Sequence, residues 1–66
     1  MQVRVNETER ELPEGASVAD LIVALGLRPE VVAAELNGAL VPRARHAETA
    51  LAEGDRVEIV TLVGGG

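Results

Sequence analysis

One short stretch, SVADLIVALG at residues 17–26, repeats its apolar residues with helical spacing and restricts the fold more than any other feature. Ser17 is a favourable N-cap, and Asp20 three residues later can complete a capping box. Gly26 suits the left-handed position that follows a helix end. The apolar residues that share one helical face are Val18, Leu21, Ile22 and Leu25. A single amphipathic helix has to bury this face, so the remaining residues must supply a second layer.

The segments before this helix alternate between apolar and polar residues, which is the period of a half-buried strand. MQVRVN and TEREL, at residues 1–6 and 8–12, are predicted to be strands joined by a turn at Asn6-Glu7. TEREL has few apolar residues, which is typical of an edge strand. The residues expected to share a face are Met1, Val3 and Val5 in the first strand, and Thr8, Arg10 and Leu12 in the second.

The segment PEVVAAEL, residues 29–36, allows two interpretations. Its helix formers and its leading proline favour a helix by propensity. Its alternating apolar residues, however, run directly into Asn37-Gly38, the strongest short-range hairpin signal. We therefore predict a strand here, followed by a second strand over ALV. In a two-residue turn Leu36 pairs with Ala39, so Ala39 and Val41 are expected on the core face.

The remaining segments complete the pattern. PRARHAETALAEGD, residues 42–55, is predicted to be a connection with one helical turn and with Leu51 anchored in the core. In the last strand Val57 and Ile59 face one way, whereas Val60 and Leu62 face the other. The order of elements predicts a single domain over residues 1–66, an α+β fold in which one helix covers one face of a sheet of about five strands.

Composition argues against several classes of function. A chain of 66 residues buries only about 60% of its unfolded surface and has little volume for the deep cleft of an enzyme. There is no cysteine, and one histidine is a poor start for a metal site or a nucleophile–base pair. A net charge of −5 without Phe, Tyr or Trp argues against nucleic-acid binding. The longest apolar run is too short to span a membrane, and no signal peptide is expected, so we predict a cytoplasmic protein.

The sequence closes on VEIVTLVGGG, in which Gly64, Gly65 and Gly66 follow the predicted last strand. Glycine has no Cβ and adopts nearly all backbone conformations, so residues 64–66 are expected to be a flexible tail that can enter a narrow channel. An unimportant terminus is the alternative interpretation. The absence of lysine means that an activated terminus would meet no lysine amine on its own chain.

LNGALVPR and LAEGDRVEIVTLVGGG, together with VRVNETER and the capped helix, resemble the ThiS family, the sulfur carrier proteins of thiamine biosynthesis. The resemblance extends over essentially the whole chain. It implies a ubiquitin-like β-grasp fold, with a mixed sheet in which the first and last strands are parallel neighbours. It also implies that Gly66 carries sulfur as a thiocarboxylate and that Gly65 and Gly64 give access to it. Only the last two glycines match the family pattern, which leaves Gly64 as a spacer.

The same resemblance implies the partners and the reaction. An adenylating enzyme of the ThiF type would use ATP and magnesium to convert the Gly66 carboxylate to an acyl-adenylate. Sulfur from a persulfide, supplied by a cysteine desulfurase or a rhodanese-like protein, would then replace AMP. The thiocarboxylate would give its sulfur to thiazole formation on a thiazole synthase of the ThiG type. The chain would thus be a protein substrate and not an enzyme, without a metal or cofactor of its own.

Three residues are predicted to contact partners. Val60 and Leu62 lie on the strand face away from the helix, although ordinary strand residues or a homodimer contact would explain them equally well. Arg43 belongs to the VPR that matches the family, whereas Arg45 and His46 are expected to be solvated surface residues.

Two alternative functions stay open. One is the small subunit of molybdopterin synthase, which is usually longer and richer in aromatic residues, and the other is a non-covalent ubiquitin-like interaction module.

Overall fold

The computed structural model describes residues 1–62. Within that range five strands, one α-helix and two short 3₁₀ helices follow one another. The strands are β1 (Gln2–Val5), β2 (Thr8–Glu11), β3 (Val32–Leu36), β4 (Ala39–Val41) and β5 (Arg56–Thr61), and the α-helix is α1 (Val18–Ala24). The first 3₁₀ helix is Pro29–Val31 and the second is Arg43–Glu48. Among residues 1–62 no helix has the length and apolar character needed to cross a membrane.

The strands form one mixed sheet in the order β2-β1-β5-β3-β4. β1 and β5 come from opposite ends of the described chain, yet they lie side by side and run parallel, with Val5 opposite Val57. The other three strand pairs are antiparallel. The predicted α+β fold, with five strands and one main helix, is confirmed. β5 is the central strand of this sheet, so the strand that leads towards the C terminus is held on both edges.

Both hairpins are closed by two-residue turns whose backbones are left-handed. Asn6 and Glu7 have φ values of 49° and 70° between β1 and β2, and Asn37 and Gly38 have φ values of 50° and 88° between β3 and β4. Positive φ at both positions defines a type I′ turn, whose twist matches that of the flanking strands. Asparagine and glycine adopt this region more readily than other residues. Both predicted turns are therefore confirmed.

Both ends of α1 are capped. The Ser17 hydroxyl oxygen accepts a hydrogen bond from the Asp20 amide at 3.1 Å, and the Asp20 carboxylate accepts one from the Ser17 amide at 2.9 Å. At the other end Gly26 has a φ of 74°, and the Leu27 amide donates to the Ile22 carbonyl at 3.1 Å. This is the Schellman arrangement, which satisfies carbonyls at the helix end. The predicted capping box and the predicted end at Gly26 are confirmed.

The core lies between α1 and one face of the sheet and is built from aliphatic side chains. Burying each of the larger ones contributes about 1.5–3 kcal/mol relative to exposure. Leu51, predicted to anchor the long connection, is only 5% exposed. Its amide donates to the Ala16 carbonyl at 2.9 Å, which ties the connection to the start of α1. The most deeply buried large side chains are Val3, Val18, Leu21, Ile22 and Val57.

The segment with two interpretations contains both kinds of structure. Pro29–Val31 forms the first 3₁₀ helix, and the predicted strand begins at Val32. Proline at the first helical position has a suitable φ and lacks an amide hydrogen that would be unpaired there. From Val32 onwards, pairing with β5 on one side and β4 on the other decides in favour of a strand.

One predicted core residue is on the surface. Leu36 pairs with Ala39 and Val41 is buried, as predicted, but Ala39 is exposed. Ala39 lies on the same face of β4 as the buried Val41, as predicted, but it is not covered by the core. β4 is an edge strand, and Ala39 lies at the hairpin end beside a half-buried Leu36, where the apolar layer thins out.

One predicted surface residue is in the interior. His46 was expected to be solvated, but it is only 4% exposed. Its Nε2 lies 3.0 Å from the Val41 carbonyl oxygen, so this nitrogen carries the proton and donates it. The second 3₁₀ helix contacts α1 and turns the imidazole inwards. Arg45 is exposed as predicted, and Arg43 is exposed as well.

Candidate functional site

The residues predicted to carry sulfur and to give access to it, Gly64, Gly65 and Gly66, lie outside the described residues. The structure instead shows the surface from which the chain continues towards them. This surface comprises the C-terminal half of β5, the strand and turn residues that bind it, and the sheet face opposite α1.

Asn6 extends the parallel ladder between β1 and β5 beyond the end of β1. The Ile59 amide donates to the Asn6 side-chain oxygen at 2.8 Å, and the Asn6 side-chain nitrogen donates to the Ile59 carbonyl at 3.0 Å. The Asn6 backbone amide donates to the Val57 carbonyl at 3.0 Å. The side-chain amide therefore takes the place of one more strand residue and satisfies both main-chain groups of Ile59 on this edge.

Asn37 fixes the start of β5 from the opposite edge. The Arg56 amide donates to the Asn37 side-chain oxygen at 2.9 Å, and the Asn37 backbone amide donates to the Arg56 carbonyl at 2.7 Å. The Asn37 side-chain nitrogen donates to the Asp55 carboxylate at 3.1 Å. The two hairpin turns thus bind β5 from both sides through asparagine side chains.

β3 continues this support to the last described residue. Val32 is opposite Thr61 in the antiparallel ladder, and the Leu62 amide donates to the Val31 carbonyl at 2.6 Å. Hydrogen bonds to β5 therefore continue up to the residue before the undescribed segment. Bonds from the β1–β2 turn, from the β3–β4 turn and from β3 therefore set the position of β5, the strand from which the chain continues.

An apolar patch lies on the sheet face away from α1. Val60 and Leu62, the predicted docking residues, are 56% and 55% exposed. Leu40 is 66% exposed and shares this face, because it is opposite Glu35 in the register of β3 and β4. Ala33 is opposite Val60. We refer to Ala33, Leu40, Val60 and Leu62 as the outer patch, and clusters of this kind often mark interaction sites.

Charged side chains border the outer patch. Glu35 and Glu58 are directly opposite each other on neighbouring strands, an arrangement that is unfavourable for two like charges. Arg56 lies two residues before Glu58 on the same face and lines the same shallow groove of about 240 Å³. The border therefore offers charges of both signs to a partner.

Arg43 lies at the tail end of the sheet. Val41, Ala34 and Ile59 occupy one row across β4, β3 and β5, so the second 3₁₀ helix begins near the level of the last residues of β5. Two strand spacings, about 10 Å, separate β4 from β5. The structure places Arg43 on the same end of the sheet as Val60 and Leu62, but it does not place it within the outer patch.

Among the described residues, the two groups with shifted pKa values lie at the opposite end of the sheet. The Met1 ammonium donates to the Glu11 carboxylate at 2.9 Å and to the Leu12 carbonyl at 2.8 Å, and Glu14 lies 3.4 Å away. The hydrogen bond to Glu11 raises the pKa of the ammonium, and the same bond lowers the pKa of Glu11. These charges stabilise the β1–β2 end of the fold and are not part of the site at the end of β5.

Three residues of the site were missed by the sequence reasoning. Leu40 could have been predicted, because alternation in ALV places its side chain on the other sheet face from Ala39 and Val41. Asn6 and Asn37 were recognised as turn residues, but their bonds to β5 join positions that are distant in sequence. Only the assembled sheet brings these side chains and β5 together.

Parallel first and last strands, a single helix across one face, and a central strand that leads towards the C terminus define a ubiquitin-like β-grasp protein. Within that class the chain belongs to the ThiS family, whose model matches residues 2–66.

The chain is also similar to individual proteins. The crystal structure of a thiamine biosynthesis protein (ThiS) from Geobacter metallireducens superposes with a TM-score of 0.84 at 33% identity, over 100% of both chains. Thiazole synthases from Magnetococcus marinus and Paramagnetospirillum magneticum are 35% and 36% identical over all 66 residues. The chain spans about a fifth of the length of these two synthases, since 20% of each is covered.

Proposed function

We propose that this chain is a sulfur carrier of thiamine biosynthesis, which holds sulfur as a thiocarboxylate at Gly66. The observation that carries the proposal is that β5 is held on the β1 side up to Ile59 and that the hydrogen bonds to β3 and the residue before it continue up to Leu62, directly before a segment that reads VGGG. A scaffold of this kind suits a protein whose last residues are worked on by other enzymes. Membership of the ThiS family, with a match that reaches residue 66, supports the same function.

The chemistry begins with activation of the Gly66 carboxylate. A carboxylate does not acylate sulfur because its leaving group would be an oxide. Its oxygen attacks the α-phosphorus of ATP, pyrophosphate leaves, and the mixed anhydride with AMP is formed. Magnesium bound by the adenylating enzyme neutralises part of the negative charge on the phosphates. The chain contributes the carboxylate and its delivery, and the partner contributes the catalysis.

Sulfur then replaces AMP. A persulfide of the donor protein attacks the activated carbonyl carbon, and AMP leaves with the bonding electrons. The resulting acyl disulfide is cleaved by a second thiol, which leaves the thiocarboxylate on Gly66 and a disulfide on the donor. Because the chain has no cysteine, its terminal carboxylate is its one place for covalently held sulfur of this kind.

The glycines suit this reaction for a steric reason. To reach an α-phosphate inside another protein, the chain end has to pass through a channel that excludes water and competing nucleophiles. Gly64, Gly65 and Gly66 have no side chains that would clash with the channel walls. The absence of lysine removes the side-chain amines of its own chain as competitors for the acyl-adenylate.

The outer patch is proposed as the surface that docks on the adenylating enzyme, with Val60 and Leu62 next to the tail. An aliphatic patch of this kind gains free energy when it is removed from water, at about 25 cal/mol per Å². Arg43, exposed at the same end of the sheet, is proposed as a contact at the rim. Thiazole synthase is proposed as the acceptor of the sulfur, and the match of the whole chain to part of two thiazole synthases supports this assignment.

The proposed function is tested by intact-mass measurement. The chain is incubated with a ThiF-type adenylating enzyme, ATP, magnesium and a persulfide donor. Replacement of one oxygen by sulfur is expected to add about 16 Da. A reaction without ATP and a chain that lacks Gly66 serve as controls, and both are expected to keep their mass.

The acceptor is tested in a second step. The loaded chain is expected to lose its sulfur to a thiazole synthase supplied with its other substrates, and not to the large subunit of molybdopterin synthase. An unchanged mass with an adenylating enzyme that is active on its own carrier would contradict the proposal and favour a non-covalent interaction module.

A further inference from the structure

Among residues 1–62, no main-chain or side-chain partner is described for the β1-facing edge of β5 at Thr61. Hydrogen-bonded and non-bonded pairs alternate along an antiparallel ladder. The Leu62 amide bonds to Val31, so the amide and carbonyl of Thr61 point away from β3. On the β1 side, the described hydrogen bonds end with the Asn6 side chain at Ile59. One main-chain donor and one main-chain acceptor are thus presented side by side at the end of the central strand.

A groove opens beside this free edge, on the same side of the sheet as α1. Its volume is about 330 Å³, and Thr8 and Thr61 lie at its polar border. Arg10 also lines it, and among residues 1–62 no salt bridge engages this guanidinium. The apolar walls come from Val5, Leu25, Leu27 and Ile59. Leu25 and Leu27 are only half-buried, so apolar surface is still available there.

The geometry points to a strand-addition site, in which the Thr61 edge and this groove receive an extended segment of the adenylating enzyme. The inference rests on the proposed function and assigns a second contact to that partner. The main chain of the segment pairs with Thr61, and one of its apolar side chains enters the groove. A carboxylate on the segment pairs with Arg10. This is the mode in which main-chain hydrogen bonds supply affinity and pockets for alternate side chains supply specificity.

A partner enzyme fits this site better than a second copy of the chain. The free edge offers the main-chain groups of a single described residue. Pairing with one residue buries far less surface than a stable dimer requires. The site can contribute only together with a larger contact, and the outer patch lies at the same end of the sheet. An enzyme that grips Thr61 would also hold the chain immediately before the residues that have to reach ATP.

The inference is tested by removing the Thr61 amide hydrogen. Proline is tolerated in a strand where its nitrogen faces away from the neighbouring strand, so Thr61→Pro should keep the ladder to β3. Thr61→Val, which retains the amide, is the matched control. In ATP–pyrophosphate exchange we expect the KM for the carrier to be about tenfold higher for Thr61→Pro than for Thr61→Val, the effect of losing about one interface hydrogen bond.

Two further measurements keep the test independent of how well the proline variant folds. In the natural chain, the Thr61 amide should exchange its hydrogen rapidly when free, and at least tenfold more slowly when the adenylating enzyme is bound. Arg10→Glu, on an exposed strand, should raise the KM, whereas Arg10→Lys should restore most of it.

The outcomes separate the two proposals. If the natural chain is never adenylated, the proposed function fails. If it is adenylated normally while Thr61→Pro has an unchanged KM and the Thr61 amide gains no protection, strand addition is refuted. If the isolated chain dimerises in sedimentation and Thr61→Pro abolishes the dimer, a second copy occupies the edge and the assignment to the enzyme is overturned.

Discussion

Replacing Asn6 by glycine tests whether the end of β5 is held by side-chain hydrogen bonds. The substitution removes two bonds to Ile59, of 2.8 and 3.0 Å, at a partly buried site. Each contributes about 1 kcal/mol net, so Asn6→Gly is expected to lower the free energy of unfolding by about 2 kcal/mol. Glycine is chosen because φ is 49° at this position, and alanine would add the strain of a left-handed backbone.

The measurement is thermal and urea unfolding followed by far-ultraviolet circular dichroism, since the chain has no aromatic residue for fluorescence. In a domain of this size about 2 kcal/mol corresponds to a fall in Tm of roughly 8–16 °C. Glu7→Gly is the matched control. Glu7 occupies the same turn with a φ of 70°, and among the described residues its side chain makes no hydrogen bond. This control should unfold at or slightly above the temperature of the natural chain.

Equal stability of Asn6→Gly and Glu7→Gly would contradict this prediction. The two Asn6 bonds would then have been replaced by water at no cost, and β5 would not depend on them for its position.

Four further predictions concern the tail, the outer patch, the core and pH. Deleting Gly66 should abolish sulfur loading without changing the circular-dichroism spectrum, and loss of the folded spectrum would count against a purely chemical role. Val60→Ser should raise the KM of the adenylating enzyme for the carrier severalfold while Tm stays within a few degrees, because this side chain is already exposed in the free chain. Leu21→Ala should lower the free energy of unfolding by about 2–5 kcal/mol in urea titrations, enough to unfold much of a small domain, because Leu21 is fully buried. The Met1–Glu11 pair should stabilise the fold between about pH 4.5 and 8.0. Its contribution should be lost as pH rises through the raised pKa of the Met1 ammonium, and also as pH falls through the lowered pKa of the Glu11 carboxyl. Glu11→Gln should remove the acidic part of this pH dependence.

Much of the fold could be predicted because its signals are local. The capping box of α1 joins Ser17 to a residue three positions away, and the type I′ turn at Asn37-Gly38 needs only two left-handed residues. Period-two alternation predicted the buried positions of β1 and β5. PEVVAAEL was harder because propensity and alternation disagree there. Its strand forms because β5 and β4 pair with it from both sides.

The candidate site was less accessible to sequence reasoning. Alternation correctly predicted that Val60 and Leu62 are exposed on the face away from α1. The burial of His46 could not be read from RARHAE, since it depends on the contact between the second 3₁₀ helix and α1. The exposure of Ala39 depends on how far the core extends towards an edge strand.

Local sequence patterns specify the helix and its limits, the two tight turns, the aliphatic character of the core and the glycine-rich end, because each depends on residues within a few positions of one another. The assembled sheet, by contrast, places β5 between β1 and β3, brings Asn6 to Ile59 across 53 positions, and ends the described bonds on the β1 edge of β5 at Ile59. The physical reason is that a hydrogen bond between distant residues forms only after the sheet has brought them within 3 Å, and no local pattern specifies that distance.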